Sequence, residues 1–111
     1  MAKIKVTNAV DTTENGVNQI DQYFRETYNF PTPRSWNCLI CGKKIIRQNC
    51  YADSNLIFTE DDIMVGGHLK DRKGNLYLAP ICKECNEKKE NLGFVSVDED
   101  YLLPIFYKRN F

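Results

Sequence analysis

Alternation and periodicity divide the chain into short elements. Residues 3–7 alternate polar and apolar, the period of a strand with one buried face. Val17, Ile20, Phe24 and Tyr28 then recur at helical spacing, with Tyr23 beside them. They predict an amphipathic helix packed on the domain, with a capping-box-like start at Asp11 and Glu14. Pro31 must end it, because proline lacks an amide donor and clashes with the turn before it. Pro31-Thr32-Pro33 is a stiff connector. From Trp36 the pattern is turn-like, then strand-like over residues 44–48, and residues 50–62 show no clear period. Apolar runs at 63–69 and 76–81 flank the polar segment Lys70-Asp71-Arg72-Lys73-Gly74-Asn75 and predict a β-hairpin. Residues 83–91 predict a short exposed helix closed by Gly93, and residues 94–97 and 101–106 two last strands around Asp98-Glu99-Asp100.

Composition bounds the class. A chain of 111 residues suits one domain with a modest core. Fifteen basic and fifteen acidic residues cancel, which excludes a polycation held on nucleic acid by bulk charge alone. Hydrophobic content of 42% with 27% charged residues is that of a globular protein rather than a disordered tail or a collagen-like repeat. No stretch approaches the ~18 apolar residues of a membrane span. The N-terminus shows no apolar run and no cleavage pattern, so the expected location is cytoplasmic, where thiols stay reduced. Charge is nevertheless blocky. Residues 34–51 hold Arg34, Lys43, Lys44 and Arg47 without an acid, and residues 52–62 hold Asp53, Glu60, Asp61 and Asp62 without a base. Thr59 with Asp62 has the spacing of a helix start, within what otherwise reads as a solvated acidic turn.

Five cysteines in a reduced compartment need a role other than disulfides, and an odd number leaves one over. Four form two C-x-x-C pairs, Cys38 with Cys41 and Cys82 with Cys85. Four thiolates make the closed tetrahedral set that structural zinc prefers. The two-residue gap lets both sulfurs of a pair turn toward one ion, and Gly42 suits a tight turn after the second ligand. The second pair opens the expected helix, whose dipole favours thiolate. A redox pair would explain one C-x-x-C but not two, while an iron–sulfur cluster or four unrelated buried thiols stay open. Cys50 reads as a buried, inert thiol. A knuckle, a hairpin and a helix that brings the second pair are the treble-clef arrangement. The expected fold is therefore α+β: a zinc-stabilised treble-clef core of ββα type over residues 36–91. A strand and helix over 1–35 would pack on it, with a strand extension over 92–111, all in one domain.

The stretch from Gly67-His68-Leu69 through Tyr77 to Cys82-Lys83-Glu84-Cys85-Asn86, together with Cys38, Cys41 and Gly42, resembles the zinc-containing branch of the HNH endonuclease superfamily. The resemblance covers about residues 36–91. It implies His68 as general base on water, and Asn86 as helix-side ligand of a catalytic Mg²⁺ or Mn²⁺ held against the scissile phosphate. The chain departs from that pattern at two positions. Gly67 stands where the family places a ligand, and Tyr77 where it places the asparagine that orients the base, with Asn75 two residues away. A catalytic ion needs more oxygen or nitrogen ligands than one asparagine and one histidine supply. Glu60, Asp61 or Asp62 would be the nearest source of a carboxylate. The expected function is thus a zinc-binding module for nucleic acid or another protein, without full nuclease activity. The alternatives are a working HNH-type endonuclease and a small inhibitor or adaptor of the phage or mobile-element type. Lys70, Arg72 and Lys73 beside Tyr77 would contact phosphate and stack a base, or form an ordinary solvated turn. His68 has the plainer reading of a hairpin histidine bonded to backbone. No membrane partner is expected, and the oligomeric state stays open.

Overall fold

A computed structural model describes residues 2–9, 16–51, 58–88 and 93–105. In chain order their elements are β1 (Lys3–Asn8), α1 (Gly16–Tyr28), β2 (Ser35–Asn37), β3 (Lys44–Ile46), α2 (Gln48–Tyr51), β4 (Met64–Asp71), β5 (Leu76–Cys82), α3 (Lys83–Glu87), β6 (Val95–Asp98) and β7 (Leu103–Pro104). Short 3-10 turns lie at Glu60–Asp62 and Glu99–Tyr101. The class is mixed α+β. One antiparallel sheet runs β6-β1-β4-β5-β7, and β2 pairs with β3 in a separate small hairpin. Among the described residues no helix is long and apolar enough to cross a membrane.

The β4–β5 hairpin forms where the two apolar runs predict it, but β4 continues two residues further, through Lys70 and Asp71. Asp71 explains the extension. Its carboxylate accepts hydrogen bonds from the Lys73 and Asn75 amides, both at 2.9 Å. It also accepts from the Asn75 side-chain amide at 3.0 Å and the Tyr77 hydroxyl at 3.1 Å. An aspartate that satisfies the donors of its own turn closes the loop tightly, and Gly74 supplies the left-handed residue at φ +88°.

Helix α1 stops at Tyr28, before Pro31, because Asn29 takes a left-handed conformation (φ 61°) and donates its amide to Arg25 O at 3.0 Å. The stripe Ile20, Tyr23 and Phe24 is buried, as its spacing predicts, and joins one core with Val6, Leu69, Ile81 and Cys82. Asp11 and Glu14 lie outside the described residues. Strand alternation gives the sheet two faces. His68 pairs with Leu78 on the face that α1 covers, where Gln19 meets the His68 ring. Asn8 pairs with Leu69 on the opposite face, and its side-chain amide reaches Cys85 O at 2.8 Å, so α3 lies on that side.

Several boundaries differ from expectation. Trp36 lies in a strand, β2, because Ser35, Trp36 and Asn37 pair with Ile46, Ile45 and Lys44 across the knuckle. Gln48 belongs to α2 and not to the strand before it. Lys83–Glu87 is the helical part of the 83–91 segment, and residues 89–91 lie outside the described set. Tyr101 sits in a 3-10 turn, which shortens the last strand to Leu103–Pro104. Strand β1 is interior, between β4 and β6.

Gly67 is tightly enclosed: a Cβ there would lie 2.3 Å from Ile81 Cδ1 and 2.7 Å from Ile81 Cγ1. Gly67→Ala is therefore expected to destabilise the fold by about 1–3 kcal/mol through overpacking. Urea unfolding checks this as a lowered midpoint with an unchanged slope; an unchanged midpoint would show that Ile81 yields freely.

Candidate metal centre

Two local structures deliver the four sulfurs. In the first, β2 and β3 form a knuckle closed by Cys38 N–H to Lys43 O at 2.8 Å and Gly42 N–H to Cys38 O at 2.9 Å. Gly42 sits at φ +80°, the turn conformation that its place after the second cysteine predicts. In the second, β5 runs without a loop into α3, so Cys82 is both the last strand residue and the helix N-cap. Its sulfur accepts the Cys85 amide at 3.3 Å. Cys38 Sγ accepts the Cys82 amide at 3.3 Å and the Cys41 amide at 3.5 Å. The Leu39 amide donates to Pro80 O at 3.1 Å and fastens the knuckle to β5.

The sulfurs of Cys38, Cys41, Cys82 and Cys85 all lie within 4.8 Å of one another, with Cys41 and Cys82 3.8 Å apart. A tetrahedral ion at about 2.3 Å from each sulfur requires sulfur separations of about 3.8 Å. The set can hold a metal ion such as zinc. Cys38, Cys82 and Cys85 are buried, and Cys41 is exposed. Burial pushes the Cys82 thiol up to about 11 and the Cys85 thiol higher still. Partial burial also opposes ionisation of Cys41, but the Lys43 amide and the neighbouring sulfurs outweigh it and hold that thiol below its usual range.

Charged side chains brace the site from outside. Lys43 Nζ lies 3.0 Å from Asp62 and 3.1 Å from Glu84, tying the knuckle to the 3-10 turn and to α3. Partial burial opposes the charge on Lys43, yet these carboxylates overcome it and hold the ammonium above its usual range. Lys83 contacts Glu60, and Glu87 at 3.9 Å. Asp62 is thus drawn into a clasp, while Glu60 and Asp61 stay exposed, as a solvated acidic turn predicts. The Thr59–Asp62 capping box, readable from spacing, starts its 3-10 turn. Which lysines the acids meet follows from the tertiary fold, and no local pattern announced it.

The remaining candidates are dispersed. His68 is buried against Gln19 of α1, whereas Asn86 is exposed on α3, which lies on the other face of the sheet. Gly67 offers no ligand atom, and Ile81 fills the space a side chain there would need. Asn75 is bound to Asp71 in the hairpin turn, away from any role at His68. Tyr77 pairs with Leu69, on the face opposite His68 and Lys70, and bonds Asp71. Arg72 lies over the Phe94 ring at 5.1 Å, and Lys73 is exposed. Arg72, Lys73 and Tyr77 border one recess together with Lys5 and Glu99, whereas Lys70 lies on the other face of the hairpin. Cys50 is buried in α2 beside Arg47 Nη2 at 3.4 Å, apart from the four-sulfur set. Among the described residues, those four cysteines are the group of His, Cys, Asp or Glu side chains close enough to share an ion.

No family model, curated protein or solved structure matches the chain.

The raised Cys82 and Cys85 thiols carry protons at neutral pH that a metal must displace. Affinity should therefore fall as pH falls, by about a hundredfold per unit if two protons leave. Chelator competition at pH 6 and pH 8 measures this; equal affinity at both would show that those thiols are already ionised.

Proposed function

We propose that the chain is a zinc-held treble-clef module, akin to the HNH-like branch, that binds nucleic acid or a protein partner and does not cut it. The observation that carries this reading is the meeting of four thiols from two C-x-x-C pairs. One pair sits on the β2–β3 knuckle, the other where the β4–β5 hairpin enters α3. Four sulfur donors leave a d¹⁰ ion no open position for substrate or water, so the centre stabilises rather than catalyses. Loss of the ion removes folding free energy directly.

Support for binding without cleavage comes from the HNH positions. His68 turns toward α1 and meets Gln19, Gly67 is walled in by Ile81, and Asn86 belongs to the opposite side of the sheet. A hydrolytic metal centre needs its base and its ion on one open cleft.

Elemental analysis of purified protein should find one zinc per chain, and chelation should abolish cooperative melting. Absence of metal, or a melting curve indifferent to chelator, would overturn the reading. Single- and double-stranded DNA and RNA incubated with Mg²⁺ or Mn²⁺ should stay intact. Cleavage that disappears in His68→Ala would establish the nuclease instead.

A further inference from the structure

Between α1 and the β2–β3 knuckle lies a cleft of about 670 Å³. Its volume falls in the range of small-molecule sites, roughly 300–1,000 Å³. Tyr23, Tyr28, Trp36 and Tyr101 line it, and among the described residues Lys44 is the basic side chain in its wall. Aromatic residues at such spacing are usually core, and Tyr23 is core here, its hydroxyl donating to Tyr101 O at 2.7 Å. The others are not sealed in. Tyr101 is 46% exposed, and Tyr28 and Trp36 are half-buried although their rings meet at 5.5 Å.

The polar groups of the wall select the ligand. Among the described residues no carboxylate lines the cleft and Lys44 forms no ion pair, whereas neighbouring Lys43 is committed to Asp62 and Glu84. A cationic ligand would meet Lys44 with nothing to offset it, because aromatic rings alone hold a cation weakly when a like charge stands beside them. A proline-rich peptide would use the rings but leave Lys44 idle. Ser35 and Asn37, in the same wall, offer neutral donors and acceptors to the edge of a ring. The exposed ring of Tyr101, the half-buried ring of Trp36, the hydrogen-bonding groups and Lys44, which forms no ion pair among the described residues, suit a nucleobase with its phosphate.

We propose that this cleft binds an unpaired base of single-stranded nucleic acid, stacked on Trp36 and Tyr101, with Lys44 on the adjoining phosphate. The inference deepens the binding-module reading and rests on it, since Cys38 and Leu39 of the knuckle form part of the cleft wall. A base in a duplex has both faces occupied by its neighbours, so paired strands are poor ligands for such a site.

Trp36 is the single tryptophan of the chain, so its fluorescence reports the cleft directly. Metal-loaded protein is titrated at low salt with an oligothymidylate of eight residues, with the same strand in duplex form, and with a proline-rich decapeptide. Anisotropy of a labelled oligonucleotide provides a second readout. Saturable quenching by the single strand is expected, with the duplex at least tenfold weaker. Tyr101→Ala should weaken binding about tenfold, the loss typical of one stacked base. Lys44→Ala should flatten the salt dependence by about one phosphate contact. Both side chains are exposed, and Tyr23 bonds only the backbone of Tyr101, so these variants keep the fold. The proposal is overturned by no saturable signal up to about 1 mM oligonucleotide, which exceeds ordinary non-specific association. It is equally overturned by indifference to both substitutions, by equal duplex binding, or by preference for the peptide. Metal content of the same sample separates the two failures: metal-bound protein that does not bind removes the cleft alone, and metal-free protein removes the module as well.

Discussion

The fold depends on four sulfurs that must meet from two places 44 residues apart along the chain. Closing a loop of that length costs roughly 3 kcal/mol in chain entropy. A metal ion such as zinc held by the four thiolates would contribute on the order of 10 kcal/mol or more and offset that cost. Burial disfavours the Cys82 and Cys85 thiolates, and polar groups around the site partly offset this. Backbone amides point at Cys38 and Cys82, and Lys43 brings positive charge to the rim, itself held by Asp62 and Glu84. Such outer partners orient ligands and balance their charge.

Around that centre the sheet and α1 make one continuous core. Ile20, Tyr23 and Phe24 from the helix meet residues of β4 and β5, and the cysteines themselves belong to the same apolar cluster. Asn8, on the interior strand β1, holds the backbone of α3 at Cys85. The helix that frames the aromatic cleft also covers His68. One packing decision therefore closes one face of the sheet and leaves a different recess open beside the knuckle.

The parts of this arrangement written in short-range pattern were legible beforehand. The paired cysteines, Gly42 after the second of them, the hairpin of β4 and β5 and the apolar stripe of α1 each follow from spacing over a few residues. Contacts between distant segments were not. Nothing local says that Gln19 will meet His68, that Lys43 will find Asp62, or that β1 will insert between β4 and β6. Strand β2 was missed for a related reason. Three residues around Trp36 carry too little alternation to declare themselves, and only their partners across the knuckle make them a strand. The helical turn at Gln48 was masked by the apolar pair Ile45 and Ile46 just before it. Which side chains share a face is decided by strand pairing rather than by local motif, as with His68 beside Leu78.

The direct passage from β5 into α3 has a further consequence. With no linker to absorb an error, a slip of one residue between β4 and β5 would turn Cys82 to the far side of its strand and swing Cys85 away with it. Such a misaligned hairpin could not complete the tetrahedron with Cys38 and Cys41. An ion held by these four sulfurs would thus act as a proofreader of strand alignment, rewarding one pairing among several that the apolar runs alone would accept.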